Sequence, residues 1–359
     1  MASLVTGSTG FIGRHLVERL LTRDGDVHVL VRASSRPRLD ALVARWGHAD
    51  RVKAVVGDLA QPRLGVSDTD HEVLSGVDDV FHLAAVYDMT ADEKRNHVAN
   101  VGGTRNTVEL ANALGAGRFH HVSSVAVAGM HRGTFTEDMF DEGQPLNHPY
   151  HATKFASEKI VREETAIPWR VYRPAIVVGD SRTGEMDKID GPYYFFEAIR
   201  AGARLPSWVP LVGPELGDTN IVPVDFVADA IDHLAHADGL DGQAFHLCSP
   251  EPRPTVEVLN IFARAAGAPR VVARVGGRPA GWAVTRGSLV ATRAPVVGGP
   301  IRRLLEAWGI PAEVLPHLGF TASFDTAATQ RALAGSAIAA PPLEGYADRL
   351  WDYWERNLR

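Results

Sequence analysis

The nine residues Val5-Thr6-Gly7-Ser8-Thr9-Gly10-Phe11-Ile12-Gly13 constrain this chain more than any other stretch. The apolar run 2–5 ahead of them and the amphipathic run Phe11 to Leu21 behind them read as strand, tight turn and helix. Gly7 permits the turn, Gly10 lets the backbone approach a pyrophosphate, and Gly13 lets the helix pack closely on the strand. The N–H groups at the helix start then face the phosphates, with the positive end of the helix dipole behind them. Glycines in this spacing are common in turns. The strand before, the helix after and the place of the motif at the start of the sequence make this one a dinucleotide-binding signal.

A length of 359 residues predicts about two domains, or one Rossmann-type domain with a sizeable appendage. With 45% hydrophobic and 22% charged residues the chain has ample core for a soluble globular fold. A formal charge of −6 and the lack of a basic block argue against nucleic acid as a partner. The one cysteine, Cys248, excludes an intramolecular disulfide and any thiolate metal cluster, and fits a reducing compartment. The fifteen histidines show no metal-ligand spacing; His120 and His121 are adjacent and point to opposite faces of a strand, so no metal is expected. The apolar N-terminal run is too short for a signal peptide, and no apolar stretch approaches the roughly 20 residues that span a bilayer. The expectation is a cytoplasmic protein whose oligomeric state the sequence leaves open.

After the first helix, Val27 to Val31 reads as a buried strand ending at Arg32. An acidic residue at this strand end binds the ribose 2′-hydroxyl of NAD, whereas a guanidinium suits the 2′-phosphate of NADP. Arg32, with Ser34, Ser35, Arg36 and Arg38 beyond it, therefore favours NADP; a solvated basic loop explains Arg38 equally well. A third strand, Val52 to Val56, closes at Gly57-Asp58-Leu59, where Asp58 is either an acceptor for the adenine amine or a turn-forming residue. The fourth strand, Asp79 to Leu83, is followed by Ala84-Ala85, small residues that leave room for a cofactor at the carboxyl edge. A helix from Asn100 to Leu114 and a fifth strand, Phe119 to Val122, bring Ser123-Ser124 to the same edge.

Tyr150 and Lys154 stand four apart at the start of a helix running to about Glu164, which places both side chains on one face. An ammonium beside a phenol favours the phenolate and suits the pair to proton transfer. A surface pair is the alternative, and the serine-bearing strand and nucleotide turn that precede the pair weigh against it. A sixth strand from Trp169 ends at Arg173-Pro174. Strands and helices alternating in this way predict an α/β protein with a doubly wound parallel sheet, the Rossmann arrangement.

Beyond Gly179 the regularity fades. Tyr193-Tyr194-Phe195-Phe196 is an aromatic cluster that lines an apolar substrate channel or packs a core. The segments 221–225, 226–236 and 244–247 rejoin the main sheet, while 251–335 reads as a substrate-side region or lid with helical pieces at 256–266 and 301–308. The last helix, Leu343 to Leu358, carries Tyr346, Leu350, Trp351 and Trp354 at helical spacing, a stripe suited to docking on a core. The expected division is 1–250 as the NADP-binding domain, with 179–219 contributing to the substrate pocket, and 251–359 as a smaller C-terminal substrate-binding region.

Taken together, Thr6-Gly7-x-x-Gly10-x-x-Gly13, Ser123-Ser124, Tyr150-x-x-x-Lys154 and Arg173-Pro174 resemble the extended short-chain dehydrogenase/reductases over roughly 250 residues. Gly57-Asp58-Leu59-x-x-Pro62, Asn100-Val101-x-Gly103-Thr104, Ile189-Asp190-Gly191-Pro192 and Val222-Pro223-Val224-Asp225 are similar to the fatty acyl-CoA reductase and thioester reductase branch. The resemblance extends to the N-terminal half of bacterial fusion proteins with two reductase modules, which makes a second module in a longer chain an expected partner. It implies NADPH as cofactor, Tyr150 as general acid, Lys154 as its pKa partner and ribose ligand, and Ser124 as the hydroxyl that meets the substrate carbonyl. By the same resemblance Thr6, Gly7, Thr9, Gly10, Phe11, Ile12, Gly13, Arg32, Asp58, Leu59, Ala84, Ala85, Asn100 and Pro174 line the cofactor. Ala128 departs from the pattern, since many members carry an aromatic or polar residue there. The implied substrate is lipid-like, a fatty acyl thioester or fatty aldehyde. A sterol- or flavonoid-like ketone is the alternative, a sugar-nucleotide epimerase a weaker one, and a non-catalytic NADP sensor is disfavoured by the intact Tyr150–Lys154 pair.

Overall fold

A computed structural model describes residues 1–84, 98–187, 191–214, 216–275 and 320–359. The chain forms two compact units: 1–175 with 224–248 and 324–339, and 176–223 with 249–323 and 340–359.

The first unit is built on a seven-stranded sheet of β1 (Ser3–Thr6), β2 (Val27–Val31), β3 (Val52–Val56), β4 (Asp79–His82), β5 (Arg118–Val122), β6 (Trp169–Pro174) and β7 (Gln243–Leu247). All six pairings are parallel and the strand order is β3-β2-β1-β4-β5-β6-β7. Central strands such as β1, β2 and β4 are buried along their whole length, as a parallel sheet covered on both faces requires. The expected doubly wound α/β fold is thus present. The order reverses between β1 and β4, and the crevice outside their carboxyl ends is where such sheets bind ligands. In register, Thr6 ends β1 beside His82 at the end of β4.

Helices α1 (Phe11–Leu20), α2 (Arg36–Trp46), α3 (Asp68–Leu74), α4 (Gly103–Leu114), α5 (Pro149–Glu164) and α6 (Val224–His236) cover the faces. Helix α1 turns Leu16, Val17 and Leu20 inward. Its polar side is tied to α6 by Arg19–Asp229 and Arg23–Asp232 ion pairs, each 2.7 Å. Helix α2 begins at Arg36, where Pro37 fits the first helical turn. Ahead of α4, residues 98–102 form a turn of π-helix, so the expected helix from Asn100 is interrupted at its start.

In the second unit, helices Phe196–Gly202, Thr255–Ala265 and Ala347–Asn357 share a core of Phe196, Phe262, Leu350, Trp351 and Trp354. The C-terminal aromatic stripe therefore docks on a core as expected. Tyr193 and Phe196 belong to that same core, and the Tyr193 hydroxyl accepts a hydrogen bond from the Gly179 N–H at 2.7 Å. For these two residues packing, and not a substrate channel, is the role observed; Tyr194 and Phe195 are half-buried. The expected helix 301–308 and the pair Ile189-Asp190 lie outside the described residues. Among the described residues, no helix is long and apolar enough to cross a membrane.

Candidate active site

The turn between β1 and α1 takes the form its glycines imply. Gly7 has φ +74°, and a Cβ there would sit 2.7 Å from the Ala84 nitrogen; a Cβ on Gly13 would sit 2.1 Å from the Gly7 carbonyl oxygen. Both positions thus exclude a side chain for reasons internal to the protein. Gly10 is different. A Cβ there meets only the Gly7 carbonyl oxygen, at 3.1 Å, so its outer side is open. Gly10 caps α1 without a side chain, which leaves the N–H groups of Phe11, Ile12 and Gly13 without intrahelical acceptors. Half-buried Thr9 precedes the cap, and the buried Ser8 hydroxyl has no hydrogen-bond partner among the described residues. Open donors at a helix N-terminus fit a pyrophosphate.

Beside this turn runs a buried chain of hydrogen bonds. The Ala84 N–H donates to Thr6 Oγ1 at 3.3 Å, Thr6 Oγ1 meets His82 Nδ1 at 2.8 Å, and His82 Nε2 meets Thr104 Oγ1 at 3.0 Å. Thr104 and Ser157 both donate to the Asn100 carbonyl, at 2.6 and 2.7 Å. Because the Thr104 proton goes to Asn100, its oxygen must accept from His82 Nε2–H, and Nδ1 must accept from the Thr6 hydroxyl. His82 is thereby fixed as one neutral tautomer. Its burial, and secondarily the nearby Lys154, push its pKa down to about 3. The chain joins the nucleotide turn to α5 through Asn100. Sequence reasoning assigned Thr6, Ala84 and Asn100 here and missed His82, Thr104 and Ser157; a polar residue ending an otherwise apolar strand was the available signal.

Helix α5 starts at Pro149, with His148 as its cap accepting from the Tyr150 N–H at 3.1 Å. Tyr150 is half-buried and Lys154 buried. Lys154 Nζ donates to the Val122 carbonyl at 3.4 Å. Burial pulls the Lys154 ammonium down to about 8, with Glu158 acting the other way. The two serines that end β5 separate cleanly. Buried Ser123 donates its proton to Glu158 Oε2 at 2.8 Å, while half-buried Ser124 accepts from the Ala126 N–H at 3.2 Å and so keeps its own O–H to give.

Arg32 is exposed at the end of β2 and has no hydrogen-bond or ion-pair partner among the described residues, whereas its neighbour Arg36 is held by Asp40 at 2.9 Å. Asp58 forms a turn, one carboxylate oxygen accepting from the Ala60 N–H at 2.9 Å. Leu59 packs against Gly103, and its carbonyl accepts from Asn106 at 2.7 Å. Pro174 ends β6 opposite Leu247, away from the β1/β4 reversal but on the same carboxyl edge. Ala85 lies outside the described residues. His120, on the face opposite His121, is spent on Asp79 and Tyr172, each at 2.9 Å. Among the described residues no group of histidine, cysteine and carboxylate side chains could hold a metal.

The chain is similar to several known proteins. The chain is 32% identical over 267 residues to a linear gramicidin synthase of Brevibacillus parabrevis, covering 69% of this chain and 5% of that one. It is 30% identical over 281 residues to glycine betaine reductase ATRR of Emericella nidulans, covering 72% of this chain and 22% of that one. It therefore spans under a quarter of either relative. The terminal R domain of the myxalamid PKS-NRPS biosynthetic pathway has the same fold, with a TM-score of 0.79 at 24% identity, over 100% of this chain and 91% of that one. Residues 5–231, which include the glycine turn and the Tyr150–Lys154 helix, match the NAD-binding family described as Male sterility protein. The chain belongs to that family, within the extended short-chain dehydrogenase/reductases.

Proposed function

We propose that this protein is an NADPH-dependent reductase of acyl thioesters, which it converts to aldehydes, with Ser124, Tyr150 and Lys154 as its catalytic residues. One observation carries the reading. Ser124 is the serine whose hydroxyl proton is uncommitted, and it stands at the end of the strand against which Lys154, on the face of α5 that also bears Tyr150, is buried.

The turn 7–13 and the α1 N-terminus hold the pyrophosphate, and Arg32 the 2′-phosphate. The reduced nicotinamide supplies a hydride when bound. Ser124 donates a hydrogen bond to the substrate carbonyl oxygen and polarises it. Tyr150 gives its proton to the oxygen as negative charge develops there, and the Lys154 ammonium lowers the cost of the resulting phenolate. With a thioester, the carbonyl carbon having taken the hydride, the C–S bond then breaks: the proton on the oxygen passes to the departing sulfur, and thiol and aldehyde are released.

The thioester preference rests on the relatives, among them a gramicidin synthase and a PKS-NRPS R domain. Curated relatives of this kind are far longer than this chain, so a place as one module of a multidomain assembly is part of the proposal. The test is oxidation of NADPH and of NADH against acyl-CoA and carrier-bound thioesters, aldehydes, sterols and sugar nucleotides. Turnover of thioesters with NADPH supports the reading; turnover of sterols or sugar nucleotides alone overturns it. A fatty chain as the natural acyl group would show as kcat/KM rising about threefold or more per added CH₂.

A further inference from the structure

Tyr150, Lys154, Glu158 and Arg162 follow one another at intervals of four along α5, so the catalytic face of the helix continues past Lys154 into a charged cluster. Glu158 is wholly buried. Its Oε2 accepts from Ser123 Oγ at 2.8 Å and from Arg173 Nε at 3.1 Å; its Oε1 accepts from Arg173 Nη2 at 2.6 Å and from Arg162 Nη2 at 2.8 Å. Arg173 ends β6 and is itself held by the Met139 carbonyl at 2.9 Å and by His246 Nε2 at 3.2 Å. One carboxylate thus binds the helix of the pair, the strand of the serine and the next strand of the sheet.

We propose that Glu158 is a positioning residue for the reaction: by gripping Ser123 and Arg173 together it fixes the Tyr150–Lys154 face of α5 against the end of β5 from which Ser124 projects. A buried ion pair by itself is weak evidence of anything beyond packing. Two features of this one go further. The residue it grips, Ser123, is the immediate neighbour of Ser124, and Lys154 grips the carbonyl of Val122 one residue earlier, so the two ties hold consecutive residues at the end of β5 directly ahead of Ser124. The second feature is charge. Among the described residues, the titratable groups that act on Lys154 are His82 from β4, His121 from β5 and Glu158 from α5, with Tyr150 one turn ahead on the same helix and Arg173 and Arg162 facing Glu158 in turn. His82 is locked neutral, and burial pushes His121 well below its usual range. Glu158 is then the carboxylate that opposes the loss of the Lys154 proton. Burial would raise its own pKa, but Arg173 foremost, with Arg162 and Ser123, holds it down to about 2, so it stays charged throughout the working range.

The inference rests on the reading of Tyr150 and Lys154 as the catalytic pair, and its test separates the two. The chain has only Lys53, Lys94, Lys154, Lys159 and Lys188, few enough to resolve by NMR of isotopically labelled lysine, with Lys154→Met assigning the signal. Two changes are compared with wild type. In Glu158→Leu with Arg173→Met, apolar residues replace the pair, a type of exchange that folds tolerate. In Ser123→Ala, only the tie to the strand is removed. The paired variant is expected to titrate Lys154 about one pH unit or more below wild type. Ser123→Ala should leave that titration and the unfolding midpoint in place while kcat on octanoyl-CoA or octanal falls about threefold or more at unchanged KM for NADPH. A Lys154 titration unmoved in the paired variant, or a wild-type kcat in Ser123→Ala, overturns the proposal. Tyr150→Phe is run in parallel: if it is fully active, the catalytic reading fails and takes this inference with it. If it is inactive while the Glu158 and Ser123 variants behave as wild type, the positioning role alone fails.

Discussion

The ammonium nitrogen of Lys154 lies 3.4 Å from the carbonyl oxygen of Val122, two residues ahead of Ser124. This contact sets the lysine in the sheet's interior edge, and the cost of burying its charge has a measurable signature. Burial holds its pKa at about 8, below the value of about 10.4 expected unfolded. Between these two values the unfolded chain binds more protons, so this group's contribution to stability rises with pH over that window and is absent in Lys154→Met. The kcat/KM for NADPH, which reports groups of the free enzyme, is expected to fall above about pH 8 as the charge is lost. A pH–rate profile and unfolding curves of both proteins check this.

Arg32 carries the cofactor prediction. It is exposed and uncommitted where the fold places the adenosine ribose. Arg32→Ala should weaken NADPH binding by about 1.5–3 kcal/mol and leave NADH nearly unchanged. Fluorescence titration with both cofactors measures it. Equal affinity of wild type for the two would show that Arg32 does not read the 2′-phosphate.

Thr104→Val removes the acceptor of His82 Nε2–H inside the core and should cost about 1–3 kcal/mol. Nitrogen-15 spectra of the wild type should show His82 as the Nε2–H tautomer, neutral down to about pH 3. A charged His82 at pH 6 would contradict the hydrogen-bond chain.

The glycine turn and the Tyr150–Lys154 pair were legible because each is local: a few residues at fixed spacing determine the geometry. The doubly wound parallel sheet was legible too, since alternating strands and helices leave few topologies. Glu158 was equally within reach as the next step of four beyond Lys154. Its partners Ser123 and Arg173 come from other strands, however, and a helix pattern does not say what it faces. The family resemblance singles out Ser124, but the residues themselves do not distinguish it from Ser123; the physical difference, which hydroxyl gives up its proton, depends on Glu158 from another element. The aromatic run 193–196 shows the opposite limit. Apolar residues in a row suit a core and a channel alike, and only the neighbours Phe262, Trp351 and Trp354, distant in sequence, place Tyr193 and Phe196 in a core.

The central claim is that Tyr150 gives the proton in a carbonyl reduction. The most direct measurement is single-turnover oxidation of bound NADPH by an acyl thioester, wild type against Tyr150→Phe. This substitution keeps the ring and removes only the hydroxyl. The account predicts unchanged NADPH affinity and a rate lower by about 10²–10⁴; a Tyr150→Phe rate within about twofold of wild type would contradict it.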